Sequence, residues 1–370
     1  MTCDFLAQAL PGVQKISPYV TGKPIEEVAR EYGVAIKDII KLASNENPIG
    51  PSAKVAFAIE QQLADLARYP DGGGYQIKQK ISALYQVKPS QITLGNGSND
   101  ILDLMAKAWI KPGLNAVYSQ HAFVAYPLAI LAADGECREV PAKNYGHDLD
   151  AMLAAMDANT RIAFVSNPNN PTGTAFDQSE LESFLAKVPA HVLVVMDEAY
   201  IEYTEQGVIA NSLSLLAQYP NLVVSRTFSK AYGLAALRVG YAISSDVVAD
   251  VLNRVRQPFN VNSMALAGAC AALDDQAHIE HVRQENTKGM RQLEQGFKRL
   301  GLSWIPSFGN FIAVDFKRDA APINQALLEK GVIVRPIAGY DMPTFLRVSV
   351  GTEQENAGFL AALTSVLKHA

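Results

Sequence analysis

The chain has 370 residues, 49% of them hydrophobic, and a formal net charge of −5. That length can bury a large core in about two domains, and the acidic balance argues against a nucleic-acid partner or an anionic membrane surface. Three cysteines without paired spacing, Cys3, Cys137 and Cys270, suggest neither a disulfide framework nor a zinc site and fit a reducing compartment, so a cytoplasmic protein is expected.

In chain order, Met1 to Ala7 lacks a positive start and a long apolar stretch, so no secretory signal is expected. Thr93 to Asp100 leads into a helical pattern over Ile101 to Ile110. Its glycines permit close backbone approach and the first N–H groups of a helix attract anions, which makes Gly97, Ser98 and Asn99 candidates for holding one. Tyr118 to Tyr126 carries an aromatic candidate, Phe123, and the apolar run Ala122 to Ala133 contains Pro127 and is too short to cross a bilayer. Ile162 to Val165 reads as a strand, followed by Ser166-Asn167-Pro168-Asn169-Asn170-Pro171-Thr172-Gly173. Two prolines and a glycine fix a rigid turn there, with a candidate cis bond, that aims Asn170.

His191 to Met196 is an apolar run of strand length that stops at Asp197, with Tyr200 three residues on. In an open α/β sheet ligands gather at the carboxyl ends of strands; the alternative for Asp197 is a helix N-cap. Val223 to Leu234 begins as a strand and breaks into a hydroxyl-rich turn, expected just before a helix, that holds Lys230. A lysine amine there can trap an aldehyde. Its ordinary pKa is about 10.4, so it needs burial and positive neighbours, for which Arg226 and Arg238 are the candidates, whereas a solvated lysine would need neither. Thr227 and Ser229 offer hydroxyls and Arg238, about two helical turns beyond the lysine, offers a planar fork, together enough to hold a dianion beside the amine.

Met264 to Leu273 starts a helix-rich connector toward Leu300. His278 and His281 on it read as a solvated pair, and no metal is expected. Phe311 to Phe316, Val332 to Val334 and Phe345 to Val350 read as strands, and Arg335 and Arg347 end or interrupt them. An arginine within Leu-Arg-Val-Ser-Val is costly to bury unless an anion or carboxylate meets it.

The Lys230 run with Gly233, Arg238 and Gly240, and the Asn-Pro-Asn-Asn-Pro-Thr-Gly string, resemble the fold-type I pyridoxal-phosphate aminotransferases. The resemblance implies an α/β fold: a large domain with a mostly parallel seven-stranded sheet covered by helices, plus a smaller α+β domain. Residues 1–41 would be an N-terminal arm and part of the small domain, 42–262 the large cofactor-binding domain, and 263–370 the connector and C-terminal small domain. It implies pyridoxal 5'-phosphate, with Lys230 as the catalytic lysine, Gly97, Ser98, Asn99, Thr227, Ser229 and Arg238 on the phosphate, and Asp197 on the ring nitrogen. Asn170 and Tyr200 would meet the ring's phenolic oxygen and Phe123 would stack on the ring. The family more often has an acidic residue where Asn99 stands, and a proline and a hydroxyl residue where His121 and Ala122 stand.

Four further stretches, Ser17 to Pro24, Leu42 to Pro48, Arg68 to Asp71 and Val334 to Tyr340, resemble the histidinol-phosphate subgroup. That subgroup implies amino transfer between L-histidinol phosphate and 2-oxoglutarate in histidine biosynthesis, by a homodimer in which Tyr69 reaches the other subunit's cofactor phosphate. Tyr19, Asn47, Arg335 and Arg347 would bind substrate. An aromatic-amino-acid aminotransferase and a threonine-phosphate decarboxylase of the same fold stay open, as does a cofactor-binding regulatory module without turnover.

Overall fold

The computed structural model describes residues 3–18 and 22–369; Tyr19 lies outside the described residues. Thirteen strands are present among them, in chain order β1 (Ile40–Lys41), β2 (Ile92–Gly95), β3 (Asn115–Ser119), β4 (Glu136–Val140), β5 (Thr160–Ser166), β6 (Leu193–Asp197), β7 (Leu222–Thr227) and β8 (Gly240–Ile243), then β9 (Ser303–Ile305), β10 (Phe311–Asp315), β11 (Val332–Ile333), β12 (Arg335–Pro336) and β13 (Phe345–Ser349).

Seven of them form the central sheet in the order β2-β8-β7-β6-β5-β3-β4. The five from β7 to β4 run parallel, and β8 is antiparallel to both of its neighbours. The mostly parallel seven-stranded sheet expected from the sequence is therefore present. The edge strand β4 is polar and partly exposed, whereas the inner strands β5, β6 and β7 carry buried, mainly apolar runs because both faces are covered. Alternation divides them: Val194, Met196, Leu222 and Val224 enter one core, while Leu193, Val195 and Val223 enter the core on the other face. The same alternation decides which way the polar residues at the strand ends point.

The smaller layer is an antiparallel sheet, β12-β13-β10-β9. Its core combines Ile312, Val314, Leu346 and Val348 with Leu293 and Phe297 of the helix Gln276–Arg299 and Phe359 and Leu363 of the helix Glu353–His369. Leu42 joins this core, and β1 pairs in parallel with β11, so the residues just before the large sheet are tied to the end of the chain. The connector divides into Ser263–Leu273 and Gln276–Arg299. The first of these lays Ala265, Ala269 and Leu273 into the same core as Val55, on the large sheet. His278 is half-buried and meets Gly50 O at 3.0 Å, while His281 is exposed.

Candidate active site

Carboxyl ends of β5, β6 and β7 lie side by side, with Ser166 opposite Asp197 and Asp197 opposite Ser225. A cavity of about 290 Å³ opens there, reached from the small layer by Arg335, Tyr340 and Arg347. Lys230 lies in its wall and donates from Nζ to Ser44 O at 3.1 Å. Burial, then Arg347 and Arg238, lower its pKa to about 8, against the pull of Glu46 and Asp197. The positive neighbour expected in Arg226 is a correction. Residue 226 falls on the opposite face of β7 from Thr227, and its guanidinium pairs with the buried Glu198 at 2.9 and 2.6 Å.

No helix follows Lys230 directly. A single short turn, Ala235–Leu237, intervenes, and Arg238 adopts a left-handed φ of +56°. That turn, not a helix, brings Arg238 Nη1 to Ser229 Oγ at 3.1 Å, while Ser229 N donates to Thr227 Oγ1 at 3.1 Å. The helix Ser98–Trp109 starts against the same guanidinium, so Ser98, Asn99, Thr227, Ser229 and Arg238 share one end of the cavity. Gly97 stands behind them: a Cβ on it would lie 2.2 Å from Arg238 Nη2.

At the carboxyl end of β6, Asp197 accepts a 3.0 Å hydrogen bond on Oδ2 from Tyr126 Oη, and its Oδ1 is buried without a partner. Burial raises its pKa to about 6, with the Tyr126 hydrogen bond opposing. Phe123 lines the cavity and meets Tyr126 edge-on at 6.1 Å. Tyr200 Oη accepts from Asn45 Nδ2 at 3.0 Å, and burial pushes its phenol up to about 12, keeping it protonated and free to donate. Both Asn167-Pro168 and Asn170-Pro171 bonds are cis, and Asn170 Oδ1 accepts from Arg347 Nη1 at 2.6 Å, which leaves its Nδ2 for another acceptor.

The description "Aminotransferase class I and II" belongs to a family whose model matches residues 37–363. A Pseudomonas aeruginosa protein named "Histidinol-phosphate aminotransferase 2" is 64% identical over 99% of each chain, and a Pseudomonas fluorescens protein of the same name is 61% identical over 100% of each. The crystal structure of histidinol-phosphate aminotransferase from Sinorhizobium meliloti in complex with pyridoxal-5'-phosphate superposes with a TM-score of 0.89 at 28% identity, covering 97% of each chain. The chain belongs to the class I and II aminotransferases, in the histidinol-phosphate aminotransferase family.

This aminotransferase is a pyridoxal-phosphate enzyme, and its residues fit that cofactor. Asp197 Oδ1 presents an unpartnered buried acceptor suited to a pyridinium N–H. The helix start lies so close to Arg238 that a Cβ on Gly97 would collide with its guanidinium, and helix N–H groups beside a guanidinium suit a phosphate.

Arg335 and Arg347 are direct cross-strand partners between β12 and β13, and both line the cavity. Arg347 is buried and donates from Nη2 to Ala43 O at 2.6 Å. Asn47, expected to line the substrate pocket, does not. It borders a neighbouring cavity of about 370 Å³, and its Nδ2 donates to Ala231 O at 2.9 Å and Gly50 O at 3.2 Å, bracing the loop that carries Lys230. Tyr69 is 82% exposed, stacked on Phe259 at 4.7 Å and not among the residues lining its own chain's cavity.

Sequence reasoning missed Tyr126, Ser44, Asn45, Glu46 and Tyr340. Tyr126 left a signal: it is a tyrosine within an otherwise apolar run, and a buried phenol needs a polar partner. The segment 44–46 lay within a stretch that carried the family resemblance, but its contacts were not legible, since its neighbours come from the far end of the chain: Ser349 Oγ donates to Asn45 Oδ1 at 3.0 Å, and Asn310 Nδ2 to Asn45 O at 3.0 Å.

Proposed function

We propose that the enzyme transfers an amino group between L-histidinol phosphate and 2-oxoglutarate, a step of histidine biosynthesis, as a cytoplasmic homodimer. The observation that carries the substrate is the pairing of Arg335 with Arg347. Like charges opposite one another on a sheet repel, and a dianion received between them relieves that repulsion. The phosphate of histidinol phosphate is such a group. The two carboxylates of glutamate present the same guanidiniums with equivalent acceptors.

When bound, pyridoxal phosphate supplies an aldehyde that reacts with amines and a ring that accepts electron density from a substrate's Cα. Lys230 Nζ, its charge weakened by burial and two arginines, would take the proton from that Cα and return it during turnover. Asp197 would hold the ring nitrogen's proton through Oδ1, with Tyr126 fixing the carboxylate. Phe123 would lie on the ring, and Asn170 Nδ2 and Tyr200 Oη would donate to its phenolic oxygen. Ser98, Asn99, Thr227, Ser229 and Arg238 would hold the phosphate, with Gly97 admitting the arginine and the partner subunit's Tyr69 closing the cradle. Support for a dimer comes from the chain's own surface, where Phe57, Leu66, Tyr69 and Tyr75, all within one stretch of sequence, are exposed.

Incubation with glutamate and imidazole acetol phosphate should yield histidinol phosphate and 2-oxoglutarate. Arg335→Ala should lower kcat/KM for histidinol phosphate by roughly ten to a few hundredfold, as expected for loss of charged hydrogen bonds, with a far smaller loss for phenylalanine. No histidinol phosphate from the parent enzyme, or equal losses for both substrates, would overturn the reading.

A further inference from the structure

We propose that His121 is the positioning residue that fixes the substrate-side loop, Arg335 to Asp341, against the loop that carries the cofactor's aromatic shelf. His121 follows β3 by two residues and adopts a left-handed φ of +58°, a region that few non-glycine residues adopt and in which histidine is, with asparagine and aspartate, among the better tolerated. That turn sends its imidazole across to the small layer, where Nδ1 lies 2.5 Å from Tyr340 O. A carbonyl oxygen only accepts, so Nδ1 carries the hydrogen and donates. One residue earlier, Gln120 Nε2 donates to Asp341 Oδ2 at 3.3 Å, so two successive side chains grip the same loop.

The other side of His121 is tied as well. Its carbonyl accepts from Asn169 Nδ2 at 3.0 Å, and Asn169 belongs to the turn that presents Asn170. Its ring lies 5.9 Å from that of Tyr145, which in turn meets Phe345 of β13 edge-on at 5.5 Å. Phe123, Asn170, Tyr340 and Arg335 all line the one cavity, and His121 is where the segments that supply them meet. Arg335 sits on a two-residue strand that runs on through a short turn to Tyr340. Holding Tyr340 O therefore limits how far Arg335 can move away from Arg347.

The consequence for turnover is specific. Binding of an anion by a loop that must first be ordered is weakened by the cost of ordering it, equally in ground and transition states, so loss of the latch raises KM more than it lowers kcat. This rests on the reading that Arg335 holds the substrate's anion, and amide hydrogen exchange gives a readout that does not.

Two variants of the holoenzyme separate the donor from the backbone. His121→Gly tolerates the positive φ but has no side-chain donor. His121→Asn also tolerates it and places an N–H at the same distance from Cβ as Nδ1. His121→Gly should raise KM for histidinol phosphate roughly tenfold with kcat held within about twofold, and should speed amide exchange at residues 337–341 roughly fivefold or more. His121→Asn should return both quantities toward the parent. Unchanged exchange in His121→Gly, or His121→Asn behaving like His121→Gly in exchange, overturns the latch. Faster exchange in the glycine variant with parental KM keeps the latch and overturns only the role of Arg335 in anion binding.

Discussion

Asp197 retains a carboxylate where burial alone favours the acid, and the protein bears that cost whenever no cofactor neutralises it. Its pKa of about 6 in the folded chain stands above the ordinary 3.8, so between these values the folded state holds a proton that the unfolded state releases. The penalty is absent below about pH 4 and complete above about pH 6. Asp197→Asn removes the charge but keeps an acceptor for Tyr126. The cofactor-free variant should therefore be more stable than the cofactor-free parent at about pH 7.5, by roughly 2 to 3 kcal/mol, and the gain should fade by about pH 4.5. Urea unfolding of both proteins at the two pH values checks this, and a gain independent of pH would mean that desolvation of the charge is not its source. The position of Asp197 was legible in the sequence because an apolar run of strand length that stops at a carboxylate sets that group at the strand's carboxyl end, where ligands gather. Tyr126, which fixes that carboxylate, was legible only as a core aromatic, because its hydrogen bond crosses between β6 and the helix Ala125–Ala132.

Among the elements, strands were read well and their junctions less so. The pattern in Val223 to Ser225 fixes β7, yet the helix expected after Lys230 is absent, because the chain must instead turn sharply to fold Arg238 back on Ser229. Period-two alternation placed Arg226 on the wrong face for a neighbour of Lys230, a conclusion available only once the ends of β7 were known. The opposition of Arg335 and Arg347 depends on the register of β12 against β13, which no local pattern encodes. The start of the helix Ser98–Trp109 offers a test at this scale. Gly97 has φ +87° and no room for a Cβ beside Arg238, so Gly97→Ala must shift either the helix start or the guanidinium. The expected result is a cofactor dissociation constant raised about tenfold or more and a stability loss on the order of 1 kcal/mol. Titration of the apoprotein with pyridoxal phosphate, followed by absorbance, reads it directly, and parental affinity would show that this end of the cavity does not receive the phosphate.

For the whole molecule, the family resemblance made the large sheet legible, while the small layer was harder because it draws on both ends of the chain: β1 beside β11 and Leu42 inside a core built from residue 290 onward. One proposed site residue makes sense only at this scale. Tyr69 is 82% exposed and outside its own cavity, so a role on the cofactor phosphate requires a second subunit. On the proposed roles, Lys230→Ala should abolish turnover in its own site, and Tyr69→Ala should weaken cofactor retention in whichever site receives that tyrosine. If Tyr69 serves its partner, a hybrid dimer of the two variants has one site with both lesions and one site with neither. If it serves its own chain, each site of the hybrid carries one lesion. Equal mixing with subunit exchange makes about half of the dimers hybrids, so at limiting cofactor the mixture should recover up to about a quarter of parental activity, well above the sum of the two variants alone. Activity no greater than that sum would place the effect of Tyr69 within its own subunit, acting through Phe259, and would remove the intersubunit contact from the cofactor site.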